Sequence, residues 1–224
     1  MCGRFTITVS FEELLLRYML DPISPPFHTP RYNVAPGQLV PAIINDGSAN
    51  RIGQLKWGLV PSWASDEKVG YKMINARSET LLEKPAFKKL IVRKRAIIPA
   101  DGFYEWQQIG AKKQPMRIML KNKEIFSMAA LFDTWLAPDG RKISTFSVIT
   151  TTPNRLMEPI HNRMPVILPR EEEQRWLDRN NEDTSALLSL LKPYPDEGML
   201  AYPVSSIVGN VKNESVDCIE EITV

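Results

Sequence analysis

Short apolar runs bounded by turn residues or charged clusters dominate the chain from residue 39 onwards: LVPAIIN, RIGQLKWGLV, RAIIPADGFYEW, QPMRIML, EIFSMAALF, ISTFSVITTT and RMPVILP. Runs of this length, rich in β-branched and aromatic residues, predict strands. Their spacing predicts antiparallel sheets that curl on themselves. Helical patterns interrupt them. SFEELLLRYML has a Ser followed three residues later by a Glu and then an apolar stretch, which predicts a capped helix over residues 11–20. SETLLEKPAFKKL, broken by Pro85, REEEQRWLDR, with acids in its first turn, and TSALLSLLK predict three more helical segments. Prolines crowd DPISPPFHTPRYNVAPGQ, so residues 21–38 are expected as an irregular surface segment with extended backbone. The class is α+β with segregated helices. No internal repeat, low-complexity tract or long linker divides the chain, so a single domain is expected, with residues from about 216 to 224 as a C-terminal tail.

Composition narrows the function classes. With 43% hydrophobic and 24% charged residues the chain can bury a proper core, which sets disorder and fibrous classes aside. Lys and Arg number 28 against 26 Asp and Glu, for a net charge of +2. That balance excludes a wholesale basic coat, so any nucleic-acid site must be a local groove. Two cysteines in 224 residues make no disulfide framework, which points to a reducing, cytoplasmic compartment. No run approaches the ~20 apolar residues of a membrane span, and the N-terminus lacks the order of a signal peptide. No membrane partner is expected.

One of the two cysteines directly follows the initiator in MCGRF. A terminus usually frays and adds little to a core, so chemistry is the better reason for a thiol there. Removal of Met1 would leave Cys2 as a 1,2-aminothiol, with an amine of reference pKa about 8 and a thiol of about 8.5. A useful fraction of each is then expected to be nucleophilic at neutral pH. While Met1 remains it acylates that amine and blocks the chemistry.

Three further polar residues lie in or beside apolar runs. Asn75, in YKMINARSET, reads as a helix cap or turn former or as a functional amide. Glu105, in PADGFYEW, is either a solvated strand residue or a carboxylate held against Tyr104 and Trp106 with a raised pKa. His161, in EPIHNRMPVIL, either satisfies a backbone group or moves protons. The spacings of Cys2, Cys218, His28 and His161 match no zinc pattern, and Gly-rich phosphate loops are absent, so neither metal nor cofactor is expected. Aromatic and basic residues do interleave. Trp63 can stack on a base while Arg4, Arg77 and Arg163 pair with phosphates, the combination used for sequence-tolerant single-strand binding. Trp57 alternates into a strand and reads as core.

Taken together, MCGRF, RYNVAPGQ, WGLVPSWA, INARSET, RAIIPADGFYEW, TTTPNRLMEPIHNRMPVIL and VGNVKNES resemble the SOS-response-associated peptidase (SRAP) family of abasic-site processing proteins, over nearly the whole chain. The resemblance implies a barrel-like single domain of curved antiparallel strands with flanking helices and a groove for single-stranded DNA. It also implies a covalent link between the N-terminal Cys and an abasic site. Cys2 matches the nucleophile, and Asn75, Glu105 and His161 match the other active-site positions. In the chemistry these residues suggest, protonated Glu105 opens the sugar ring and the Cys2 amine forms an imine. The tethered thiol then closes a thiazolidine. His161 shuttles protons, and Asn75 orients the amine or the sugar. The chain departs from the family pattern at Asn162, where many relatives have an acid, and at Ala96, where many have a Cys. Cys218 is thus the only competing thiol, and it is expected to pack. Two rival readings use the same residues: a thiol autopeptidase acting through Cys2, which would remove Met1 itself, and a non-covalent single-stranded DNA-binding module. A monomer is expected.

Overall fold

The computed structural model describes residues 2–223; Met1, whose removal is expected above, and Val224, the end of the expected tail, lie outside them. The most apolar runs pair into a closed ring of five strands. β3 (Leu39–Asn45) lies antiparallel between β4 (Asn50–Trp57) and β6 (Arg95–Ala100), and β6 pairs in turn with β9 (Phe126–Leu136). β9 pairs with β10 (Lys142–Thr151), which closes on β4 with Thr145 opposite Lys56. This last pairing is parallel, whereas the runs predict antiparallel sheets throughout. The reason is topological: an odd number of strands cannot alternate direction all the way round a ring. Residues of β6 are buried at every position, as expected for a strand covered on both faces. The expectation that Trp57 is core holds, with its ring 4.9 Å from Phe5 and stacked 6.1 Å from Phe146.

A second, antiparallel sheet runs in the order β13 (Met199–Pro203), β8 (Lys112–Leu120), β7 (Gly102–Ile109), β1 (Phe5–Ile7) and β2 (Arg31–Val34). RAIIPADGFYEW, one run in sequence, is therefore divided between barrel and sheet at Asp101. That turn is buried. Asp101 accepts hydrogen bonds from Thr6 Oγ1 at 2.6 Å, from Thr8 N at 3.1 Å and from Thr8 Oγ1, and lies 3.7 Å from the Arg117 guanidinium. β2 falls inside the segment expected to be irregular, because Arg31–Val34 is the edge partner that β1 lacks elsewhere.

Helices are short and peripheral. α1 (Phe11–Arg17) starts as predicted on a Ser10–Glu13 capping box and buries Phe11 and Leu14. Pro85 begins α2 (Pro85–Lys88) instead of breaking a longer helix, as suits a residue with no N–H to donate. α3 (Leu90–Arg93), α4 (Glu173–Leu177) and α5 (Thr184–Leu188) complete the set. Buried Arg95 fastens two of them to the barrel, donating to the carbonyls of Ile91 at 2.7 Å and Trp176 at 2.5 Å and also to those of Val92 and Asp178. No helix among the described residues is long and apolar enough to cross a membrane.

Within the expected C-terminal tail, Cys218 is buried and Ile219 packs beside it. Val204 bridges to Glu221, and Val204, Val208 and Cys218 form a small core with Tyr104 over the second sheet. Cys218 packs as expected.

Candidate functional site

The site lies where the far end of β10 meets the second sheet. Up to Val148, β10 is occupied by β9. Its last residues are flanked by β5 (Asn75–Arg77), parallel, with Asn75 opposite Val148 and Arg77 opposite Thr150, and by β11 (Met164–Pro165), antiparallel. β12 (Ile167–Leu168) continues from there along β9. Asn75 is therefore a strand residue, neither a cap nor a turn. From the other side, β1 pairs with β7 through Phe5 opposite Phe103 and Tyr104 N bonded to Arg4 O. Continued by two residues, that register brings Gly3 opposite Glu105. Cys2 and Glu105 are neighbours for this reason.

Asn75 Nδ2 donates to the Cys2 carbonyl at 2.9 Å, and Asn75 Oδ1 is buried without a hydrogen-bond partner among the described residues. The Glu105 carboxylate lies 3.9 Å from His161 Nδ1, beyond hydrogen-bond length but within ion-pair range. The four residues expected to be catalytic thus share one locus. Their electrostatics differ from the simple expectation at Cys2. The residue is fully buried, and loss of solvent, followed by the neighbouring Glu105 charge, pushes its thiol well above the ordinary range. An unperturbed, partly ionised thiol at a frayed end is not what the fold provides, because the residue belongs to the main core. Burial also raises Glu105, from its ordinary 4.5 to about 7. It lowers His161 below its ordinary 6.5. Near neutral pH the constellation therefore holds a neutral imidazole, a neutral thiol and a carboxyl poised to give or take a proton.

The four residues expected to contact DNA divide into two pairs. Trp63 is 69% exposed, and with Arg77 and Asn75 it lines a cleft of about 340 Å³ that also takes in Lys72, Lys84 and Phe87. Trp63 is held outward by its neighbours, since Ser62 N bonds Asp133 and Ala64 O accepts from the Trp135 indole at 2.7 Å. Arg4 and Arg163 are engaged inside the protein instead. Arg4 donates to Asn33 Oδ1 at 2.9 Å and to the carbonyls of Val208 and Gly209. Arg163 forks onto the Glu79 carboxylate at 2.8 and 2.9 Å and reaches Thr150 O at 2.7 Å. The terminal nitrogens of each guanidinium are thereby committed to protein oxygens, while the buried Arg163 Nε has no hydrogen-bond partner among the described residues. Asn162 is exposed.

Sequence reasoning passed over Lys72 and Lys84, whose signal was their position on either side of INARSET. It also passed over Glu79, in that motif, and Asn33, which donates to the carbonyls of Val208, Asn210 and Asn213 and which no local pattern distinguishes. Among the described residues no three His, Cys, Asp or Glu side chains cluster as metal ligands.

Comparison with known proteins gives concordant results. The model of the family described as SOS response associated peptidase (SRAP) matches residues 1–211. The abasic site processing protein YoqW of Bacillus subtilis is 53% identical over 223 residues, covering 98% of this chain and 99% of that protein. The abasic site processing protein HMCES of Xenopus tropicalis is 33% identical, covering 87% of this chain and 67% of that protein. A crystal structure of a Bacteroides thetaiotaomicron protein superposes with a TM-score of 0.89 at 31% identity, covering 99% of this chain and all of that one.

Proposed function

The chain belongs to the SOS response associated peptidase family, and on that premise we propose that it processes abasic sites in single-stranded DNA by capturing the lesion covalently through Cys2 once Met1 is gone. The observation that carries this reading is the convergence on Cys2 of Asn75, Glu105 and His161, from segments far apart in sequence. Such a set suits amine and thiol chemistry at one carbon.

An abasic sugar is mostly a closed hemiacetal. As its C1′–O4′ bond breaks, Glu105 gives its proton to O4′, and neutral His161 takes the proton of the C1′ hydroxyl, leaving the aldehyde. The Cys2 amine adds to that carbon, and loss of one water gives an imine. The sulfur then bonds the same carbon while the thiol proton passes to nitrogen, closing a five-membered thiazolidine. A buried, protonated thiol favours this order, with the amine first. Asn75 holds the Cys2 carbonyl, and its buried Oδ1 is an acceptor beside the residue that carries the attacking amine. Trp63 and Arg77 rim the adjoining cleft, which suits a base stacked against an aromatic ring with its phosphates facing cations.

The test is a denaturing gel with an oligonucleotide containing one abasic site. Protein with a free Cys2 terminus should give a heat-stable adduct, and protein with a permanent extension ahead of Cys2 should give none. Cys2→Ser, which keeps the amine, should give a stable adduct only when a hydride reductant traps the imine. Equal adduct from the extended protein would overturn covalent capture, and no trapped product from Cys2→Ser would overturn the amine-first order.

A further inference from the structure

His161 is approached from one side by the backbone of a single residue. Its Nδ1 accepts from the Arg163 N–H at 3.0 Å and also lies 3.1 Å from the Arg163 carbonyl oxygen. A neutral Nδ1 takes up the N–H, and a protonated Nδ1 donates to the carbonyl. The same backbone therefore serves Nδ1 in either of its protonation states, which a proton shuttle working through that nitrogen requires and which holds only while Arg163 stays in place.

What keeps it there is its side chain, 12% exposed, which forks onto Glu79 and reaches the carbonyl of Thr150, the β10 residue opposite Arg77. Glu79 lies 84 residues away in sequence, four positions after Asn75. One short segment thus fixes Cys2 through Asn75 and the His161 turn through Glu79. Among the described residues, the charged and titratable groups facing His161 are Glu105 from β7 and Arg163 from its own turn, with Glu79 behind Arg163.

We infer that Glu79 is a positioning residue for the proton-transfer step: it anchors Arg163 so that the Arg163 backbone can serve His161 both as donor and as acceptor. The inference rests on the proposed capture reaction, but part of its test needs no DNA. The chain has two histidines. The other, His28, is bonded to the Val9 carbonyl in a different part of the fold and serves as an internal control.

The experiment compares wild type with Glu79→Gln, which cannot offer two anionic oxygens to the fork. Imidazole nitrogen and carbon-bound proton resonances are followed by NMR from pH 5 to 8, and capture of an abasic oligonucleotide is followed in single turnover over the same range. Affinity is measured for a strand carrying a tetrahydrofuran analogue, which cannot react. Glu79→Gln should change the His161 resonances and their titration while leaving His28 alone. It should slow capture about tenfold or more with a changed pH profile, the scale of a misplaced catalytic group, and leave the affinity within about twofold. Should the His28 signals also change, Arg163→Lys, which keeps the charge but not the fork, takes its place with the same expectation. Wild-type His161 behaviour in the variant, or affinity falling in parallel with rate, would overturn the inference. Altered His161 resonances in the variant, together with a wild type that forms no adduct, would instead count against the capture reaction.

Discussion

Glu105 couples function to stability at the level of one residue. Its carboxyl is held at about 7 by burial against an ordinary 4.5. Below about 4.5 it is neutral in both folded and unfolded chains. Between 4.5 and 7 the folded form binds more protons than the unfolded one, so the stability that burial of the neutral acid allows is lost as pH rises through 7. Glu105→Gln removes that dependence. At pH 8 the variant should be more stable than wild type by roughly 1–3 kcal/mol, a melting point several degrees higher, with the gap closing by pH 5. It should also lose the proton donor, slowing capture of a closed-ring abasic sugar about 100-fold and removing the decline in rate above pH 7. Calorimetry at the two pH values, together with single-turnover capture, measures both effects. A stability gap independent of pH would mean that the acid is not raised, and an unchanged rate would leave Glu105 a structural role only.

The elements that flank the cleft meet at a crossing of two glycines. Gly58, just after β4, has φ +117°, and a Cβ there would lie 2.8 Å from the Gly70 carbonyl oxygen. A Cβ on Gly70 would lie 2.7 Å from the Gly58 carbonyl oxygen. Both contacts are with backbone, which cannot swing aside. The first glycine leads to Trp63 and the second to Lys72 and β5, so their approach sets the separation of the two walls of the cleft. Gly58→Ala should therefore cost about 2 kcal/mol or more and weaken binding of a non-reactive single strand. Thermal unfolding and fluorescence anisotropy report the two effects; wild-type values in both would show that the crossing relaxes without moving Trp63.

At the scale of the whole molecule the two ends of the chain hold each other. Asn33, fully buried, accepts from Arg4 and donates to three carbonyls between residues 208 and 213, while Glu214 receives the N–H groups of Tyr32 and Asn33. Asn33→Ala strands several of these groups and should cost about 2–4 kcal/mol; it should also slow capture by loosening the segment that carries Cys2. Urea denaturation and single-turnover capture check this, and lower stability with an unchanged rate would mean that Cys2 is placed without help from the C-terminal segment. Local sequence was enough to read seven apolar runs as strand, the capped start of α1, the buried Trp57 and the α+β class, since a strand's alternation and a helix's cap are written within a few residues. Motif order also picked out Cys2, Asn75, Glu105 and His161. Tertiary structure alone decided that Cys2 is buried, that β10 closes on β4 in parallel, that residues 95–109 divide between two sheets, and that Arg4 and Arg163 serve protein oxygens. Each depends on which distant segments come to lie side by side, as Glu79 does with Arg163 and Asn33 with residues 208–213. No local pattern encodes such pairings, because their free energy comes from burying both partners at once.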